Sequence, residues 1–193
     1  MEPRRRRSRR VTTPTASPRA TPAQPPTPRV RITDFLRPDA VIDDLSGRTA
    51  RAVLGELCRP HAGLVDLPRA LEALLERERE GSTGFVGGLA IPHARINGLP
   101  RIVASFGRSK PGVEFKAVDG ERSHFFFALL TPELRAPEQA AGRQVYANLL
   151  ARISFLFERP GLRRAILTAP DSSHIYRLIA REDELHRRRR DVH

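Results

Sequence analysis

The chain has 193 residues, enough for one domain with a real core plus tails, and carries a formal charge of +12 with a pI near 11.4. The charge is unevenly placed: residues 1–29 contribute +7, residues 181–193 contribute +1 and the long middle only +4, so the pI does not mark the folded part as a nucleic-acid-binding domain. The single cysteine, Cys58, excludes an internal disulfide and a zinc site built on several cysteines, and no apolar run approaches the ~18 residues that span a bilayer.

Residues 1–29 hold seven of the seventeen prolines and almost no large apolar side chains. Such a segment cannot bury enough surface to offset its ordering entropy, which predicts a disordered Arg/Pro-rich arm. Its Arg4–Arg7 and Arg9–Arg10 clusters offer a contact for nucleic acid or an acidic partner. The arm lacks the apolar stretch of a secretory signal, so a cytoplasmic protein is expected. The bias to Arg over Lys (only Lys110 and Lys116) suggests a GC-rich bacterial genome.

From Val30 the texture changes. Ile32, Phe35 and Leu36 begin an ordered segment. Ser46 is the predicted N-cap of a helix with Ala50, Val53, Leu54 and Leu57 at helical spacing, and Cys58 on it reads as a buried, inert thiol. Asp66 is the predicted cap of a second helix, with Pro68 in its first turn and Leu71, Leu74 and Leu75 facing the core. Residues 85–91 read as a strand despite their glycines. Asn97-Gly98 is a hairpin signal, with a return strand over 101–106. Asp119-Gly120 is a second turn, leading into 124–130, a continuous apolar run that suits a strand covered on both faces. Pro137 opens a long helix to about Phe157, with Val145, Leu149, Ile153 and Leu156 in one stripe. Short helices at 162–168 and 173–180 follow, then a basic tail over 181–193. The sum is an α/β architecture, a mixed β-sheet sandwiched between helices over residues 30–180.

One imidazole stands out. Gly81, Gly84, Gly87 and Gly88 loosen the approach to Ile91-Pro92-His93, and Pro92 stiffens the platform on which His93 is presented. Ser82, Thr83 and the backbone N–H groups of Gly84, Gly87 and Gly88 are candidate donors to an anion. Arg77 lies sixteen residues earlier, near a helix end, and a planar, permanently charged guanidinium suits phosphate. No Cys, His or carboxylate cluster has metal-ligand spacing, no Gly-x-Ser-x-Gly elbow is present, and no P-loop is present, so no metal and no cofactor are expected. The constellation fits phosphoryl transfer better than hydrolysis. For His61, His124, His174, His186 and His193 no convergent partners are apparent, and packing or surface roles are expected.

These residues carry a resemblance. Arg77-Glu78-Arg79-Glu80-Gly81-Ser82-Thr83-Gly84 and Ala90-Ile91-Pro92-His93-Ala94-Arg95 resemble the type 2 EIIA domain (fructose, mannitol and nitrogen-regulatory) of the bacterial phosphoenolpyruvate:sugar phosphotransferase system. Val118-Asp119-Gly120, the strand ending at Thr131-Pro132-Glu133, and Leu149-Leu150-Ala151-Arg152-Ile153 extend the match over about 30–180. The resemblance implies a phosphotransferase component with a phosphohistidine intermediate: His93 takes a phosphoryl group on Nε2 from an HPr-like carrier protein, and Arg77 offsets its charge. It also implies an EIIB-like acceptor or a regulatory protein target. Two positions depart from the family pattern. Tyr146 stands where a second His often lies, and Gly84-Phe85-Val86-Gly87-Gly88 replaces Gly-x-Gly-Asn-Gly. With no membrane part, a regulatory component is expected rather than a sugar-transport subunit. The alternatives are an EIIA-like protein-binding module that is not phosphorylated, and a nucleic-acid-associated regulator acting through the arm.

Overall fold

The structure, a computed structural model, describes residues 30–133 and 138–190, with backbone alone for 138, 139 and 186–190. The predicted disordered arm, Pro137 and His193 lie outside the described residues, as does the side chain of His186.

Five strands form one mixed sheet: β1 (Leu36–Ile42), β2 (Leu89–Ala90), β3 (His93–Ile96), β4 (Val103–Val113) and β5 (Ser123–Pro132). The apolar run at 124–130 lies in β5 and is covered on both faces, as expected. β4 pairs antiparallel along one edge of β5, and β2 and β3 pair parallel along the other. Alternation along β5 divides the core in two. Phe125, Phe127 and Leu129 point to one face, under α3 (Glu138–Phe157), α4 (Pro160–Thr168) and α5 (Ser172–Arg190). Phe126, Ala128 and Leu130 point to the other, under α1 (Ala50–Cys58) and α2 (Leu67–Glu80). The result is the expected α/β sandwich with helices on both faces.

Some local expectations hold. The Asp66 side chain accepts from the Arg69 N–H at 2.9 Å and caps α2, with Pro68 in the first turn. Cys58 is buried and its thiol pKa is pushed up to about 11 by desolvation, which keeps it inert. Others are corrected. The cap of α1 is Thr49, whose hydroxyl accepts from the Ala52 N–H. Ser46 instead donates through its backbone N–H and hydroxyl to the buried Glu56 carboxylate, at 3.0 and 2.9 Å. The strand predicted over 85–91 is a tight 3-10 turn at Val86–Gly88 followed by only two strand residues. The ladder resumes beyond Pro92 and continues to Ile96, so β2 and β3 are one edge strand interrupted where proline has no N–H to give. Asn97-Gly98 turns the chain without making a hairpin, because β3 and β4 lie on opposite edges of β5.

The basic tail expected over 181–193 is also corrected: α5 continues to Arg190. Asp183, only 1% exposed, holds it in place. Its carboxylate accepts from the Ile32 N–H at 2.8 Å and from Arg152 on α3, and its carbonyl accepts a second N–H of Arg152. A second buried charge, Arg108 on β4, donates to the carbonyls of Asp43, Ile166 and Ala169 at 2.6–2.8 Å, placing a cation at the C-terminal end of α4 where carbonyls lack helical partners.

Candidate functional site

His93 opens β3 at the edge of the sheet, and Arg77 faces it from the last turns of α2. The Nδ1 atom of His93 lies 2.9 Å from the carbonyl oxygen of Ile91, and Nε2 lies 3.0 Å from Nε of Arg77. A carbonyl only accepts and a guanidinium only donates. Nδ1 therefore carries the proton, and the Nε2 lone pair accepts from Arg77. Pro92 contributes twice: it fixes the backbone that brings the ring over Ile91, and its carbonyl accepts from Leu129 N–H to tie the platform to β5. The remaining reach of Arg77 goes to the Gly81 carbonyl at 3.0 Å, so the end of α2 anchors the guanidinium.

The pair opens on a cleft of about 940 Å³ between α2 on one face of the sheet and α3 on the other. Tyr146 of α3 lies on the far wall, its ring centroid 5.6 Å from that of His93. Its hydroxyl is buried and has no hydrogen-bond partner, and burial pushes its pKa up to about 12. It stays protonated, a donor with nothing yet to bind.

The other predicted site residues are not brought into this cleft. The Ser82 hydroxyl donates to the Phe115 carbonyl at 2.8 Å and accepts from the Gly84 N–H. Thr83 is buried and bonded to the Glu78 carboxylate through its backbone N–H and hydroxyl. Gly84 lies so close to Ala117 that a β-carbon would stand 2.7 Å from the Ala117 Cα, while Gly87 and Gly88 take positive φ. Gly87 N–H is spent on the Asp119 carboxylate at 2.8 Å. This loop holds the β4–β5 turn and supports the strand that leads to His93. Conversely, Arg95, Arg101 and Arg143 line the cleft together with Glu76, Glu80 and Glu133, and none of the six was singled out from the sequence as a site residue. Two had a signal: Arg95 is two residues from His93 on a strand, and Arg143 is one turn before Tyr146 on a helix.

Burial is the main reason the His93 pKa lies below its ordinary value, with the positive charges of Arg77 and Arg95 acting in the same direction against the Ile91 hydrogen bond. The ring thus takes up a proton less readily than an ordinary imidazole, and its Nε2 lone pair persists to lower pH. Histidine-selective 15N NMR titration should show an Nδ1–H tautomer with a midpoint below 6.5; a midpoint above it would contradict this geometry. Linkage has the same sign. The unfolded chain protonates first, so the stability held by the neutral ring is complete above pH 6.5 and declines below it. Buried His61, with both ring nitrogens unpartnered and its pKa also lowered chiefly by burial, adds to this acid sensitivity.

A family model described as phosphoenolpyruvate-dependent sugar phosphotransferase system, EIIA 2, matches residues 34–182. The chain belongs to that family. It is 32% identical over 151 residues to a nitrogen regulatory protein of Bradyrhizobium diazoefficiens, covering 77% of this chain and 94% of that one. It is 29% identical over 158 residues to the fructose-specific EIIABC component of Bacillus subtilis, covering 80% of this chain but only 24% of that longer protein. Among solved structures, nitrogen regulatory protein IIA-Ntr of Neisseria meningitidis superposes with a TM-score of 0.67 at 24% identity, over 77% of this chain and 98% of that one. Escherichia coli enzyme IIA mannitol, solved in complex with phosphorylated enzyme IIB mannitol, superposes with a TM-score of 0.59 at 12% identity, over 76% and 99%. At these identities the structural likeness establishes the EIIA fold. Among the described residues of this EIIA chain, no helix is long and apolar enough to cross a membrane, and no group of three or more potential metal ligands occurs.

Proposed function

We propose that this EIIA chain is a cytoplasmic phosphocarrier that accepts a phosphoryl group on Nε2 of His93 from an HPr-like protein and acts chiefly as a regulatory component. The observation that carries the reading is the pair of hydrogen bonds on one ring: Ile91 holds the proton on Nδ1, and the nucleophilic lone pair of Nε2 meets Arg77 at the cleft. The Nε2 lone pair forms the new P–N bond while the donor's bond to phosphorus breaks, its electron pair remaining on the donor atom. The Nδ1 proton stays against Ile91, so the positive charge gained by the ring partly offsets the phosphoryl oxygens. Before that bond forms Arg77 has to leave Nε2 and rotate onto the incoming phosphoryl oxygens, and the unpartnered Tyr146 hydroxyl supplies a second donor. Such a reaction asks for positioning and electrostatics rather than covalent machinery. Onward transfer to an EIIB-like acceptor, or phosphorylation-dependent binding of a regulatory target, uses the same open cleft.

Incubation with phosphoenolpyruvate and the two upstream phosphotransferase proteins tests this reading. It should yield one acid-labile phosphohistidine, mapped to His93 by mass spectrometry. Absence of label, under conditions that label a nitrogen regulatory relative, would instead favour a protein-binding module that is not phosphorylated. Arg77→Gln should slow labelling by about 10²-fold, in line with loss of one pre-oriented charge-stabilising donor. It should also raise the His93 midpoint in the titration, because Arg77 lowers it. An unchanged rate would remove Arg77 from the transfer step.

A further inference from the structure

Two strongly basic segments, at opposite ends of the sequence, are tied to one corner of the fold. Residues 1–29 hold eight arginines against a single acid, Glu2, and Arg187–Arg190 supply four more, whereas residues 30–180 carry only +4. The Ile32 N–H is held by the Asp183 carboxylate of α5 at 2.8 Å. Residue 29 stands three residues before Ile32, at most about 11 Å of extended chain. Arg187 follows Asp183 by one helical turn, about 6 Å along the axis, and α5 runs on to Arg190. Successive helix positions are set about 100° apart, so four arginines in a row leave no side of this helix end without a basic position. The acids flanking the junction in the sequence are already spent. Asp34 pairs with Arg31 at 2.9 Å, Glu182 with Arg159 at 2.7 Å and Asp183 with Arg152, and Glu184 is engaged as well.

We propose that residues 1–29 and the end of α5 together form a composite site for the phosphate backbone of a nucleic-acid duplex, without base specificity. The proposal stands apart from the reading of His93 as acceptor. The arm offers such a contact by its composition; the Ile32–Asp183 bond adds a second basic segment at the arm's root, on a rigid helix. One or two cations would suffice to complement the C-terminal dipole of α5, and that role does not account for the arm. A small anion is satisfied by a few donors, whereas twelve arginines in two segments match a ligand of repeated phosphates, and duplex DNA carries one charge per about 1.7 Å. Guanidinium forks fit phosphate oxygens, and each one that meets a phosphate releases a condensed counterion. Residues 1–29 contain no aromatic residue, leucine or isoleucine, so they carry no apolar anchor for a lipid surface.

The test measures, by fluorescence anisotropy, binding of the full chain to a labelled DNA duplex of arbitrary sequence, two helical turns or about 20 base pairs long. Salt is varied between about 50 and 200 mM. The variants are R4Q/R5Q/R6Q/R7Q, R187Q/R188Q/R189Q/R190Q and the two sets combined; glutamine keeps the helix propensity of α5. The unaltered chain should bind at physiological salt, about 150 mM, with log affinity falling linearly with log salt. Each fourfold variant should weaken binding about tenfold or more and flatten the salt slope by about 0.9 for every arginine taken off a phosphate. The combined variant should lose more than either. Lysine at positions 187–190, which keeps the charge, should restore most of the affinity lost with glutamine there. Absence of binding by the unaltered chain at low salt would overturn the proposal. Unchanged affinity of the α5 glutamine variant would overturn the composite site by leaving the arm to act alone. A loss with lysine equal to that with glutamine would overturn it by making the helix end structural. Tighter binding, at equal salt, to vesicles of phosphatidylcholine and phosphatidylserine would assign both segments to a lipid surface and overturn it as well.

Discussion

His93→Ala should reduce phosphoryl labelling to background while the protein stays folded. No other described side chain offers a nucleophile in the same setting: the Tyr146 phenol is held protonated, with a pKa of about 12, and Cys58 is buried away from the cleft. The substitution removes the acceptor atom itself, so the loss is complete rather than graded. The backbone of β3 keeps its pairing from His93 to Ile96 against β5, because that pairing does not involve the ring. A half-buried ring at the cleft rim leaves a space that water can enter, so the melting temperature should fall by only a few degrees. Labelling of the variant equal to that of the unaltered chain would move the acceptor elsewhere. Loss of label together with collapse of the melting transition would mean that the ring is mainly structural.

The second large effect is on stability. Asp183→Ala should destabilise the protein by about 3 kcal/mol, the lower end of the cost of breaking a buried ion pair from one side, because Arg152 keeps 11% exposure. Asp183 joins three parts of the chain: the leading segment through the Ile32 N–H, α3 through Arg152, and α5 itself. Its removal orphans a buried donor as well as a cation. For a chain of this size the loss corresponds to a fall in melting temperature of about 6–12 °C, measurable by calorimetry. A fall of less than about 2 °C would show that the leading segment and α5 are held by apolar packing alone. Ile32 and Asp183 both fall just outside residues 34–182, so this pair fastens the two ends of the family-matched segment to each other.

Chemistry that depends on near neighbours was legible from the chain. Asp66 caps α2 because its side chain needs only the N–H groups three residues ahead. The run at 124–130 is apolar at every step, and such a run asks for cover on both faces wherever it lies. Arg77 and His93 drew attention by residue type, spacing and resemblance.

Tertiary structure decided what depends on residues far apart. Asn97-Gly98 has the chemistry of a hairpin, yet β5, arriving later in the chain, inserts between β3 and β4 and takes the hydrogen bonds of both. Ser46 has the chemistry of a cap, but the Glu56 carboxylate competes for it. Ser82, Thr83, Gly84, Gly87 and Gly88 looked like an anion cradle, yet the hydroxyls of Ser82 and Thr83 go to Phe115 and Glu78, and the N–H groups of Thr83, Gly84 and Gly87 go to Glu78, Ser82 and Asp119. Residues 181–190 are rich in charge and read as tail, until one buried carboxylate among them finds Arg152 and Ile32. By itself the sequence determined most of the helices, the central strand and the choice of His93 as the candidate acceptor, since these follow from local periodicity and residue chemistry. Which nitrogen of that imidazole carries the proton, and which charged side chains line the cleft beside it, were decided by packing α2 and α3 on opposite faces of one sheet. Hydrogen-bond direction and the grouping of charges are properties of atoms brought together from distant positions, and a linear pattern does not contain them.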